Sequence, residues 1–196
     1  MAVAKMLRSI VERTAAAVTL TRGDVRAGKT LQSVFERSAA AVTLMPSVGQ
    51  GTDTTTVRLR EGTTCDIEEG SWQFVSDAEP ELGGSEEHPD PGFYLRAALG
   101  TCFVQTAVLW AAHYSVPLTR LDVEVEADHD ARGLLGVENR GARFTGLRYR
   151  ITVESPAPAE DVQRVLDATY AHSPVHDSLQ HAFTIEREEE IVAPVE

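Results

Sequence analysis

Apolar residues recur along this chain with two different periods. At the N-terminus the period is helical. In "SIVERTAAAVTL" (residues 9–20) and again in "SVFERSAAAVTL" (residues 33–44), hydrophobic positions return every three or four residues. Leu7, Ile10, Val11 and Val18 form one stripe, and Leu31, Val34, Phe35 and Val42 form the other. The two segments are an internal repeat, and each predicts an amphipathic helix that needs a surface to cover. "TRGDVRAGKT" joins them as a turn, with Thr30 placed to cap the second helix. Two copies are too few for a solenoid, and nothing after Leu44 repeats.

After "MPSVGQGTD" the period falls to two. "TTTVRLRE" sets Val57 and Leu59 on one face and Arg58 and Arg60 on the other; "TTCDIEEG" and "SWQFVSD" follow as further strands between glycine turns. "DAEPELGGSEEHPDPG" is a loop by its Pro, Gly, Asp and Ser content. It opens at Pro91 into a long helix running to about Tyr114, apolar nearly all round, with Leu95, Leu99, Cys102, Thr106, Leu109 and His113 on one stripe. "LDVEVEAD" and "LRYRITVES" alternate again, the second with Leu147, Tyr149, Ile151 and Val153 in phase. A helix with Val162, Val165, Leu166, Thr169 and Ser173 in register comes next, and "AFTIEREEEIV" predicts a last strand. This order of elements is α+β, not a regular βαβ alternation.

With 196 residues the chain is long enough for one substantial core. A formal net charge of −12 argues against nucleic acid and anionic membrane surfaces as partners. No run approaches about 18 uninterrupted apolar residues, so no transmembrane span is expected. Charges interleave with the apolar residues of "MAVAKMLRSIVERTAAAV", which does not read as a signal peptide. Two cysteines make no disulfide scaffold, and a reducing cytoplasm is the expected location.

Cys102 stands alone in the apolar helix. Buried cysteines often serve as small hydrophobes; a reactive one works as the thiolate, and its sulfenic acid must be captured by another thiol before further oxidation. Cys65, on a strand near Arg58 and Arg60, is a conceivable internal resolver, although a structural role is the simpler reading. His172, His176 and His181, with Asp177, have the spacing of a metal site only if one helix carries them, and Pro174 interrupts it. No metal or cofactor is therefore expected. His113 lies about 16 Å beyond Cys102 by helix rise and reads as a satisfied core or interface histidine. Hydrolase chemistry through Ser173 with His172 or His176 lacks an acid partner and a nucleophile-elbow motif.

"DPGFYLRAALGTCFVQTAVLWAAHYSVPLTRLDVEVEADHDARG", followed by a strand and "ATYAHSPVHDSL", resembles the OsmC/Ohr family of osmotically inducible proteins and organic hydroperoxide reductases. The resemblance covers roughly residues 54–183. It implies the OsmC-like fold, with antiparallel sheets packed around two long helices in an intertwined homodimer. The N-terminal helical extension (1–48) then precedes an OsmC-like domain (49–196). It also implies a cysteine that attacks the O–O bond of an organic hydroperoxide, in oxidative-stress defence, and a second cysteine that resolves the sulfenic acid. Cys102 matches the first of these, and Ser173 stands at the resolving position. Gly92 replaces the family's glutamate, and the activating arginine corresponds to Arg58 or Arg60. The expected activity is hydroperoxide reduction at a degenerate or one-cysteine site, the latter reset by an external thiol reductant. The alternative is a non-catalytic OsmC-like protein that binds a small apolar ligand at the dimer interface.

Overall fold

The structure is a computed structural model that describes residues 29–181 and 184–193. The first repeat copy lies outside them. The second forms α1 (Lys29–Leu44), a helix around an alanine run. The helix is already under way at Lys29, so Thr30 lies within it and does not cap it.

A meander follows: β1 (Thr56–Glu61), β2 (Thr64–Glu69) and β3 (Trp72–Ser76), antiparallel in the order β1-β2-β3. Both hairpin turns use a glycine with positive φ, Gly62 and Gly70, the left-handed conformation a tight hairpin needs. Pairing Val57 with Ile67 and Ile67 with Phe74, and Leu59 with Cys65, gathers the apolar side chains on one face. In the single chain that face is open: Val57 is 59%, Leu59 71%, Trp72 66% and Phe74 50% exposed.

The loop after β3 is held by Asp77, which is 2% exposed. Its carboxylate accepts from the Thr63 hydroxyl (2.7 Å), the Ser85 amide (2.8 Å) and hydroxyl (2.7 Å) and the Ala78 amide (2.8 Å). The Thr63 bond above all, and then the two from Ser85, keep this carboxyl far below the usual carboxylate range.

Asp90 caps α2 (Pro91–Tyr114) by accepting from the Phe93 amide, and Pro91 takes the first turn, where a missing N–H costs nothing. Ser115 ends the helix in the left-handed region. Alone, α2 is long and apolar enough to cross a membrane. In this fold α1 and segments 120–128, 159–172 and 174–180 pack around it, as around a core helix.

The buried seam of α2 runs through Leu99, Phe103, Thr106, Ala107, Ala111 and Ala112, while Leu109 stays 38% exposed. The sequence stripe through Leu109 is thus rotated from the real one. A helix apolar on every side carries no phase in its sequence, so its neighbours choose the face.

β4 (Arg120–Asp128) and β5 (Gly146–Glu154) pair antiparallel over their full length, separated by the short α3 (Ala131–Leu134). Leu121, Val123, Val125 and, across from them, Val153, Ile151 and Tyr149 turn inward. Gly100 lets α2 approach β4 closely, since a Cβ there would lie 3.3 Å from Val125. α4 (Ala159–His172) drops Val165 into the cluster of Ala111, Val116 and Leu118, and α5 (Pro174–Gln180) follows at once. The last strand expected from "AFTIEREEEIV" does not form among the described residues: Thr184 to Ala193 have no regular structure. Five consecutive charges from Glu186 to Glu190 leave that segment nothing to alternate against.

Candidate functional site

Cys102 lies on α2 between the buried seam and the surface, half-buried. Opposite it the chain changes direction. α4 stops at His172, Ser173 is extended (φ −84, ψ 109) and Pro174 starts α5. Proline disfavours helical conformation in the residue before it and cannot continue a helix. The resulting corner drives the Ser173 side chain inward. Ser173 is completely buried, and its hydroxyl donates to Cys102 Sγ at 3.3 Å.

A cluster of aromatic rings begins at the residue beside Cys102. Phe103, next to Cys102, packs against Tyr149 (5.3 Å between centroids) and Tyr170 (5.1 Å). The Tyr149 hydroxyl and His176 Nδ1 are hydrogen-bonded at 3.1 Å, and the His176 ring also packs near Tyr170 (5.6 Å). Burial first, then negative charge on Tyr170 and Cys102, pushes the Tyr149 phenol up to about 12. Burial likewise raises Tyr170, with Asp167 adding to it.

The other residues singled out in the sequence lie elsewhere. Arg58 pairs with Glu68 at 2.5 Å and Arg60 with Asp66, both across β1 and β2 on the exposed polar face. Neither bonds to Cys102 within the chain. Cys65 sits opposite Leu59 on the apolar face of that sheet, its thiol 3.7 Å from the Thr63 carbonyl. At Gly92 a Cβ would meet Asp90 Oδ1 at 2.8 Å and an Arg96 nitrogen at 3.2 Å, so the capping carboxylate fills the space beside that position.

The three C-terminal histidines part company. His172 stacks on Trp110 (4.7 Å), His176 bonds Tyr149 and His181 bonds Asp177. No group of three metal-ligating side chains is gathered among the described residues. His113 packs on Phe35 (4.6 Å) and Trp110 (5.4 Å) as a core histidine, but its buried Nδ1 has no partner among the described residues, contrary to the satisfied state expected. Sequence reasoning gave Tyr149 and Tyr170 no role. The available signal was Tyr149 in the inward phase of its strand, where an aromatic with a polar tip needs a partner.

The OsmC-like protein family profile matches residues 83–188, from the loop before α2 to beyond α5. No curated protein matches the sequence. Solved structures share the fold. An OsmC-like protein from Mycoplasma pneumoniae superposes with a TM-score of 0.58 at 18% identity, over 67% of this chain and 89% of that one. An organic hydroperoxide resistance protein from Legionella pneumophila gives 0.52 at 16% identity, over 67% and 92%. A further organic hydroperoxide resistance protein, from Elizabethkingia anophelis, gives 0.51 at 17% identity, over 67% and 89%.

Proposed function

Because the chain belongs to the OsmC-like family, we propose that it reduces organic hydroperoxides through Cys102 as its one catalytic cysteine, working as a homodimer. The observation that carries this reading is the buried Ser173 hydroxyl 3.3 Å from the Cys102 sulfur, beside a cluster of aromatic rings. The hydroxyl gives a thiolate a donor, and the rings offer an apolar organic substrate a surface. In the first step Cys102 attacks the terminal oxygen of R–O–O–H. An S–O bond forms, the O–O bond breaks, sulfur becomes the sulfenic acid and the peroxide leaves as the alcohol.

Ser173 cannot close a disulfide, and Cys65 lies on the separate three-stranded sheet. The sulfenic acid therefore condenses with an external thiol, releasing water, and a second thiol frees Cys102 as the external disulfide departs. Such a cycle suits a reducing compartment, the cytoplasm.

Two uncovered apolar surfaces support the homodimer. One is the face of β1–β3 that carries Val57, Leu59, Trp72 and Phe74. The other is the groove between α2 and β4 lined by Phe93, Ala97, Gly100, Val104, Val123 and Val125. Exposed apolar faces of this kind mark an interface, and a second copy supplies to each what the first leaves open.

The test is intact-mass analysis after a sub-stoichiometric dose of cumene hydroperoxide in the presence of a sulfenic-acid trap. Wild type and Cys65→Ser should both carry the trap at Cys102, and Cys102→Ser should carry none. Consumption of hydroperoxide by Cys102→Ser at the wild-type rate overturns the reading.

A further inference from the structure

Reduction of a hydroperoxide leaves an alkoxide, which needs a proton to depart as the alcohol. An alkoxide is much more basic than a phenolate, whose conjugate acid has an ordinary pKa of about 10. A tyrosine hydroxyl at the leaving oxygen is therefore a competent donor. The Ser173 hydroxyl is already directed at the sulfur.

Tyr149 and His176 reach the neighbourhood of Cys102 from two elements, β5 and α5. Tyr149 faces inward from β5 onto Phe103, the residue that follows Cys102. His176 lies one helical turn after Ser173, the residue that touches the sulfur, and is bonded to the Tyr149 hydroxyl at 3.1 Å. Burial above all, with negative charge on Tyr170 and then Cys102 adding to it, raises the Tyr149 phenol, so it keeps its proton.

We propose that Tyr149 donates the proton to the departing oxygen of the hydroperoxide, and that His176 positions the Tyr149 hydroxyl and restores its proton. The proposal rests on the hydroperoxide reading of Cys102. With the proton on Nδ1, His176 donates to the phenol oxygen and leaves the phenolic O–H free to face the substrate. As the Cys102 thiolate takes the terminal oxygen, sulfur gives up two electrons and the O–O bond accepts them. RO⁻ takes the phenolic proton and leaves as ROH. The phenolate takes the Nδ1 proton of His176, and Nε2 of the half-buried ring takes one from water. Tyr149 would touch the reacting atoms; His176 acts through it.

The experiment compares reagents that differ in their need for a proton. Single-turnover modification of Cys102 in the full-length protein is followed with cumene hydroperoxide, with peracetic acid and with iodoacetamide. Peracetic acid expels a carboxylate, which needs no donor, and iodoacetamide reports only the nucleophile. Tyr149→Phe should slow cumene hydroperoxide at least 100-fold, within the range general-acid catalysis supplies, and leave the other two rates within about twofold. His176→Gln should slow cumene hydroperoxide about tenfold with the same selectivity. A common fall in all three rates would show a structural role, and no fall in any would show none; either result overturns the proposal while leaving Cys102 chemistry standing. Wild-type protein inert to both oxidants overturns the hydroperoxide reading and this proposal with it.

Discussion

Replacing Ser173 with cysteine should convert the site into one that closes its own disulfide. The two side chains already touch, with 3.3 Å between Oγ and Sγ, and both are anchored, Ser173 at a buried corner and Cys102 on the central helix. The residues are 71 positions apart in sequence. Loop-closure entropy for a crosslink of that span predicts about 4 kcal/mol of stabilisation of the oxidised over the reduced variant, less any strain in the folded state. At about 2–4 °C per kcal/mol for a chain of this size, that corresponds to a rise of roughly 10 °C in the melting midpoint. The assay has two parts. One equivalent of hydroperoxide should give a species that has lost two hydrogens and no longer reacts with a sulfenic-acid trap. Differential scanning calorimetry of the same sample should then show the higher midpoint, returning to the lower one after dithiothreitol. If the trap still captures Cys102 quantitatively in the variant, the corner at Pro174 does not hold position 173 against the sulfur, and the site geometry is wrong.

Phe74→Glu places a charge on the open face of the β1–β3 sheet, at a side chain 50% exposed in the single chain. Burying that charge in the proposed dimer costs about 3 kcal/mol or more, over a hundredfold in dissociation constant, so sedimentation velocity should show a dimer for wild type and a monomer for the variant; unchanged sedimentation would mean that this face meets solvent. Asp77→Asn should weaken the protein at neutral pH by loosening the loop before α2. The depressed Asp77 carboxyl contributes stability that is complete above the unfolded value of about 3.9 and is lost as pH falls through the lower folded value. Urea midpoints of variant and wild type should therefore converge in acid, and identical midpoints at neutral pH would refute the role of Asp77. Phe35→Ala removes the ring of α1 that packs at 5.2 Å on Trp110 and 4.6 Å on His113. It should cost about 1–2 kcal/mol in chemical denaturation and leave Cys102 oxidation unchanged; a parallel loss of oxidation rate would mean that α1 shapes the site.

The sequence by itself determined what depends on neighbours along the chain. Alternation located β1, β4 and β5, because side chains in a strand take opposite faces in strict turn whatever the strand packs against, and glycine turns marked off β2 and β3. Pro91 marked the start of α2 and Pro174 the break after α4, because a missing N–H acts within one turn. Cys102 and Ser173 could be named, one as the odd residue of an apolar helix and the other by its place in a recognisable pattern.

Tertiary structure decided what depends on which surfaces meet. It set the buried face of α2, which the sequence stripe misplaced, since a helix apolar all round has no preferred side. It brought Ser173 to Cys102, a contact that exists only where α4 crosses α2. It paired Tyr149 with His176 from separate elements, where neither residue type nor spacing joined them in advance. It turned Arg58 and Arg60 onto a polar face, each held by a carboxylate across the strand pair, and left the opposite apolar face open. Periodicity reports the geometry of a segment. Contact between distant segments is set by packing, and packing is a property of the whole chain and of whatever covers its open faces.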